Sequence, residues 1–250
     1  MKALITGASS GIGKDIAYYL ASKNIDLILV ARRKERLEEI KEKVKVDVKI
    51  LVLDLSIERN LYKLYEKIQD EEIDILVNNA GFGLFGEFIK SDLEREIEMI
   101  DLNIKAIHIL TKLFLIDFEK RNSGYILNVA SSAGFLAGPR LSTYYATKNY
   151  ILKLSMAIYE ELRRNKSNVH ICVLCPGPVN TEFNRVAKGK FAIKGLNSKV
   201  VAKYAIDKMF KNKFILIPSL KMKLGIFLNR FLPHKLSLKI MYRFQERKNR

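Results

Sequence analysis

Disulfide frameworks and metal clusters have little to draw on in this chain, whose 250 residues include two cysteines and three histidines. Cys172 and Cys175 form one Cys-x-x-Cys, but Val169-His170-Ile171-Cys172-Val173-Leu174 reads as a buried strand, on which an offset of three turns the two thiols to opposite faces. There is no second cysteine pair, and His108, His170 and His234 are scattered rather than set at ligand spacing. No metal site is expected, and the thiols read as structural. Long hydrophobic runs are missing as well: none approaches the ~20 residues of a membrane span. Met1-Lys2-Ala3-Leu4-Ile5-Thr6-Gly7 runs straight into a glycine-rich turn, with no room for a charged leader, apolar core and cleavage site. The expectation is a soluble, cytoplasmic protein without disulfides. Internal repeats and linkers are absent, so the length predicts a single domain with a sizeable core.

Acidic residues are scarce, 27 against 44 Lys and Arg, for a net charge of +17. A basic surface attracts polyanions whatever the fold. Distribution matters more than the sum: from Ser219 to Arg250 there are nine Lys/Arg against one acid, Glu246, a net of +8. No recognised nucleic-acid motif accompanies that charge, and nucleic acid is not expected as a partner.

Apolar strand-like runs cover Lys2 to Thr6, Asp26 to Ala31, Val48 to Leu53, Asp74 to Asn78, Gly124 to Ala130, Asn168 to Leu174 and Phe214 to Pro218, with amphipathic stretches of helical length between them. Such alternation predicts a doubly wound α/β fold, a parallel sheet of about seven strands with helices on both faces, because parallel neighbours need crossovers. Thr6-Gly7-Ala8-Ser9-Ser10-Gly11-Ile12-Gly13 follows the first strand and opens a helix-like run, Ile12 to Lys23. Its glycines permit a tight turn and close approach of a ligand, and free N–H groups at a helix start favour a phosphate or pyrophosphate. The spacing Gly-x-x-x-Gly-x-Gly is not a Walker loop, which disfavours ATP.

Tyr144 and Lys148 stand four apart in Tyr144-Tyr145-Ala146-Thr147-Lys148, so a helix stacks them on one face. A phenol titrates near pH ~10 and is a poor acid/base group at neutrality until a nearby positive charge favours the phenolate. Lys148 is placed to supply that charge, although the spacing alone is common in helices.

Taken in order, the Thr6–Gly13 turn, Asp54, Asn78-Asn79-Ala80-Gly81, Asn103, Ser131, Tyr144 with Lys148, and Pro176-Gly177-Pro178-Val179-Asn180-Thr181 resemble the short-chain dehydrogenase/reductase family over residues 1–218. The resemblance implies a Rossmann-like catalytic domain that transfers a hydride between a nicotinamide cofactor and a carbonyl or secondary alcohol. It implies cofactor contacts at Gly7, Ser9, Ser10, Gly11, Ile12, Gly13, Asp54, Leu55, Asn79, Ala80, Gly81, Pro176, Gly177, Val179 and Thr181, with Asp54 near the adenine and Thr181 on the nicotinamide carboxamide. It also implies a catalytic set of Asn103, Ser131, Tyr144 and Lys148. Tyr144 is then the proton donor and Ser131 orients the substrate oxygen. Lys148 binds the nicotinamide ribose and lowers the Tyr144 pKa, and Asn103 holds a water that relays protons. Ser131 is preferred over Ser132 because it lies thirteen residues before Tyr144 and begins Ser-x-Ala-Gly. Tyr145 reads as packing.

The second strand ends in Leu29-Val30-Ala31-Arg32-Arg33-Lys34, where an NAD-selective site places an acid against the ribose. A guanidinium there complements a 2′-phosphate, which predicts NADP(H) with Arg32 as main contact and Arg33 as second. The segment Glu182 to Gly195 mixes apolar anchors with lysines and reads either as a lid over an apolar or acyl-type substrate or as a solvated loop. Phe135 to Ser142 is expected to line the other wall, its Gly138-Pro139 barring a long helix. Residues 219–250 form a basic amphipathic helical extension interrupted by Pro233. It either lies on an anionic membrane surface or packs on the domain or a partner subunit. By resemblance, Leu102 to Lys120 and Ser142 to Arg164 carry the faces of a homodimer. The competing reading of the whole chain is a non-catalytic NADP-sensing or lipid-surface binding protein on the same scaffold.

Overall fold

The computed structural model describes residues 1–183, 187 and 195–246. Strands β1 (Lys2–Thr6), β2 (Asp26–Ala31), β3 (Val48–Val52), β4 (Ile75–Asn78), β5 (Gly124–Val129), β6 (Val169–Leu174) and β9 (Ile215–Leu216) form one seven-stranded sheet in the order β3-β2-β1-β4-β5-β6-β9. Every pairing in it is parallel. The strands read as near-continuous apolar runs because both faces are covered. Side chains alternate: Ala3 and Ile5 join a core layer with Ile16, Leu20, Val201 and Ile206, while Leu4 joins the opposite layer with Leu61, Leu64, Leu110 and Phe114. Cys172 belongs to the first layer and Cys175 to a separate cluster with Ile151 and Leu152, so the two thiols do face opposite ways.

The helices are α1 (Gly11–Ala21), α2 (Lys34–Lys43), α3 (Glu58–Glu66), α4 (Leu93–Ile100), α5 (Ile107–Arg121), α6 (Ser142–Arg164), α7 (Ser198–Met209), α8 (Leu220–Asn229) and α9 (His234–Glu246). Caps set several of their boundaries: Asp92 accepts from the Glu94 and Arg95 amides at the start of α4, and Asn122 closes α5 in the left-handed region at φ 50°. The run expected as one helix from Leu102 opens with a π turn, Asp101–Ala106, that joins α4 to α5. Strands β7 (Val179–Asn180) and β8 (Leu196–Asn197) form a small parallel ladder that the sequence reading did not anticipate.

Two features fix α6 against the sheet. Asn78 Nδ2 donates to Asn128 Oδ1 at 2.9 Å and to Thr111 Oγ1 at 3.1 Å, and Asn128 Nδ2 donates to Ser155 Oγ at 3.0 Å, tying β4, β5, α5 and α6 through a buried amide ladder. Gly134 gives α6 its close approach, since a Cβ there would lie 2.7 Å from the Lys148 carbonyl. The sheet and this ladder set where Tyr144 and Lys148 stand.

Candidate active site

The residues singled out from the sequence follow the carboxyl ends of six successive sheet strands: Gly7 after β1, Arg32 after β2, Asp54 after β3, Asn79 after β4, Ser131 after β5 and Pro176 after β6. Chain order reverses between β1 and β4, and a doubly wound sheet opens its ligand crevice at that edge. A cavity of about 700 Å³ occupies it, running from the Gly7 turn past Ser131, Tyr144 and Lys148 to α8 and α9.

At one end, Gly7 and Gly11 hold φ +64° and +56°, and a Cβ on Gly7 would come within 2.8 Å of the Ala80 Cα. Ser10 makes no side-chain cap at the start of α1, and the first turn carries no acid, leaving its N–H groups and positive dipole end toward the cavity. The donor set fits a pyrophosphate. Gly13 and Asn103 differ from the other candidates in not lining the cavity. Gly13 is instead the seat of Asn79, whose Nδ2 a Cβ would meet at 2.3 Å. Asn79 Nδ2 in turn donates to the Thr6 and Gly7 carbonyls at 3.0 and 3.1 Å.

The two arginines differ. Arg32 is exposed and reaches Asp54 and Glu98 at 3.4 Å each. Arg33 lies over the turn, donating to Ser9 Oγ at 3.1 Å and to Glu182 at 2.9 Å. Arg36 also meets Glu182 at 2.9 Å, and the Arg33 and Arg36 guanidiniums hold that carboxyl down to about 2. Burial pushes the Asp54 carboxyl up, but hydrogen bonds from Ser56 and the nearby Arg32 outweigh it and leave it below its ordinary value.

At the centre, Ser131 follows β5 in extended backbone; its Oγ accepts from the Ala133 amide at 3.1 Å and donates to the Pro176 carbonyl at 3.5 Å, and it lines the cavity together with Tyr144. Lys148 is 4% exposed, and its Nζ donates to the Val129 carbonyl at 3.0 Å, 5.9 Å from the centre of the Tyr144 ring. Burial dominates the titration of both groups: it drives Lys148 down from 10.5 to about 8 and raises the Tyr144 phenol above its ordinary value. The expected lowering of the Tyr144 pKa by Lys148 therefore does not appear: desolvation outweighs the neighbouring Ser131 hydroxyl, and the ammonium is directed at the Val129 carbonyl. Asn103, fully buried, is turned inward by the π turn; its Nδ2 donates to the Phe82 carbonyl at 2.8 Å and its Oδ1 accepts the Phe82 amide at 3.1 Å. Gly81 leaves room between them: a Cβ there would lie 2.8 Å from Asn103 Oδ1 and 3.5 Å from Lys148 Nζ.

The far end holds residues the sequence reading did not single out. Phe183 packs its ring 5.2 Å from that of Tyr144. Met222, Ile226, Met241 and Gln245 from the C-terminal helices complete the wall, facing Leu136 and Leu141. That helix pair packs on the domain through Ile226 and Gln245, which are 7% and 1% exposed. Tyr145, read as packing, is buried and receives a hydrogen bond from Gln245. Most of the Glu182–Gly195 segment falls outside the described residues, which include Glu182, Phe183, Ala187 and Gly195 of it. The amphipathic pattern of α8 and α9 was a readable signal, but nothing in it named the cavity they cover.

The short chain dehydrogenase family profile matches residues 1–190, and the chain belongs to the short-chain dehydrogenase/reductase family. It is an oxidoreductase scaffold with a seven-stranded Rossmann-like sheet. Human very-long-chain 3-oxoacyl-CoA reductase is 34% identical over 194 residues, covering 74% of this chain and 62% of that one. A short-chain dehydrogenase from Sphingobium yanoikuyae in complex with NADPH superposes with a TM-score of 0.80 at 30% identity, covering 88% of each chain. A Burkholderia phymatum short-chain dehydrogenase/reductase in complex with NAD reaches 0.84 at 21% identity over 92% of each, a likeness of fold.

Proposed function

We propose that the protein is an NADP(H)-dependent reductase or dehydrogenase acting on a carbonyl/secondary alcohol pair, with Tyr144 as acid in reduction and base in oxidation. The observation that carries this reading is that Ser131, Tyr144 and Lys148 line one cavity whose other end is the glycine-rich turn. The bound nicotinamide supplies the hydride. The chain's own groups do the rest: Ser131 and Tyr144 donate to the carbonyl oxygen, where negative charge builds, and the Tyr144 proton completes the alcohol. Burial that raises the phenol pKa keeps it protonated, the form a proton donor needs. Lys148 holds the nicotinamide ribose. Asn103, with one lone pair of Oδ1 on the Phe82 amide, keeps the other for the relay water.

NADP(H) is favoured by Arg32, whose long, exposed ion pairs cost little to exchange for a 2′-phosphate, with Arg33 and Ser9 beside it. The NADPH-bound relative agrees with that choice. The apolar far wall and the 3-oxoacyl-CoA reductase likeness point to an apolar or acyl-type carbonyl. Cys172 and Cys175, both free and buried, suit a reducing cytoplasm. A homodimer through α5 and α6 completes the reading. A screen of ketones, 3-oxoacyl thioesters and hydroxysteroids followed by NADPH absorbance tests it. Turnover of one class is the expected result, and a protein that binds NADPH yet turns over none overturns it.

A further inference from the structure

The C-terminal helix pair has two unlike faces. On α8, Met222, Ile226 and Asn229 turn inward. The opposite side carries Leu220, Leu224, Phe227 and, just past the helix end, Phe231, at 80%, 59%, 52% and 71% exposure. Offsets of four, seven and eleven place these four on one stripe, and Lys221, Lys223 and Arg230 flank it. On α9, Ser237, Met241 and Gln245 turn inward, while Lys235, Lys239 and Arg243 point out beside the exposed ridge Leu236, Ile240 and Phe244.

A contiguous apolar stripe open to water marks a surface that something covers. A second copy set face to face would bring the +8 of one extension against the +8 of another, on chains of +17 each. An anionic bilayer satisfies both features at once, accepting the apolar stripe below its headgroups and pairing the lysines with lipid charge. Ile240 and Phe244 are exposed and also line the cavity, as does Leu228 at the edge of the α8 stripe, so the cavity mouth lies on this face.

We propose that α8 and α9 dock the protein on an anionic lipid bilayer, with the cavity mouth turned toward the lipid. Docking stands on the helix pair alone. The route it offers to a lipid-dissolved carbonyl rests on the reductase reading.

Co-sedimentation with phosphatidylcholine vesicles, with and without phosphatidylglycerol, tests this on the full chain. The wild type is expected to bind the phosphatidylglycerol vesicles at low salt. Leu224→Asp/Phe231→Asp is expected to lose roughly tenfold or more in partitioning, with melting temperature and turnover of a water-soluble ketone unchanged. Lys221→Glu/Lys223→Glu, which leaves the stripe intact, should lose a similar amount. No wild-type binding overturns the proposal. Equal binding by all three proteins also overturns it, since attraction would then come from net charge at large. So does light scattering in which the Leu224/Phe231 variant splits a dimer that never bound vesicles. Vesicle binding without turnover of any carbonyl upholds docking and sinks the reductase reading.

Discussion

Gln245 Nε2 donates a 2.8 Å hydrogen bond to the hydroxyl of Tyr145, one hundred residues earlier in the chain. Both groups are buried, and Tyr145 is the immediate neighbour of Tyr144 on α6, so the C-terminal extension is fastened to the helix that presents the proposed acid. Gly138 makes the seat for that ring, since a Cβ there would lie 2.4 Å from it.

Gln245→Met should therefore leave a buried phenol without a partner. The loss is at most about 1–3 kcal/mol, since the variant also removes Gln245 Oε1, a buried acceptor without a partner among the described residues. It reads as up to a few degrees in melting temperature by calorimetry, at ~2–4 °C per kcal/mol for a chain of this size. Because Gln245 lines the cavity away from Ser131, KM for bulky carbonyls should move more than kcat. A variant with unchanged melting temperature and KM would show that the fastening does nothing.

Tyr144→Phe removes the donor hydroxyl and keeps the ring against Phe183. A lost general acid is worth roughly a hundredfold to ten-thousandfold in rate, so kcat should fall by that order while NADPH binding, followed by fluorescence, stays within about twofold, since each factor of ten needs about 1.4 kcal/mol. Retained turnover would reassign the acid.

The parts of this molecule written in local pattern were readable from the sequence. Near-continuous apolar runs marked the strands of the sheet, and glycines at Gly7 and Gly11 marked a turn that needs positive φ. Tyr144 and Lys148 needed only a helix to bring them together. What escaped depends on distant partners or on a balance of energies. The π turn at Asp101–Ala106 has no sequence signature, yet it turns Asn103 inward. The ion pairs of Glu182 with Arg33 and Arg36 join segments 149 and 146 residues apart. The direction of the Tyr144 shift was misjudged because spacing reveals a neighbouring charge but not the depth of burial that overrides it.

Oligomeric state offers a separate check. Ile116 on α5 and Tyr150 on α6 are 42% and 39% exposed on the two helices proposed to form the dimer. Light scattering should give twice the 28.8 kDa chain mass, and Ile116→Asp/Tyr150→Asp should give the monomer by burying an unpaired charge in the interface. A wild-type monomer ends the dimer reading.

Cofactor preference follows from the guanidiniums. Charge-assisted hydrogen bonds to a phosphate are worth about 1.5–3 kcal/mol, so Arg32→Ala should weaken NADPH binding by roughly ten- to hundredfold and leave NADH nearly unchanged. Arg33→Ala also removes one of the two guanidiniums on Glu182 and the contact with Ser9 in the glycine-rich turn, so its effect should extend to both cofactors. Fluorescence titration decides, and a wild type that binds NADH more tightly than NADPH sinks the assignment.

Lys148 makes a prediction about stability against pH. In the folded protein burial drives it from 10.5 to about 8, while the unfolded chain leaves it at the ordinary value. Between those two pH values the unfolded state binds more protons, so this group's contribution to stability rises with pH across the window, by at most about 3 kcal/mol. Burial pushes Tyr145 and Tyr65 the other way, up to about 12, with hydrogen bonding to Asp117 adding to the shift of Tyr65. Their contributions are present at lower pH and fall away as the unfolded phenols lose protons above pH ~10. The comparison with Lys148→Met isolates the lysine. At pH 7 the variant should be the more stable, freed of a buried ammonium, and that advantage should shrink steadily in urea titrations carried toward pH 10. A constant difference between the two proteins from pH 7 to 10 would mean that Lys148 titrates normally, and that its contact with the Val129 carbonyl fully replaces the water it gave up.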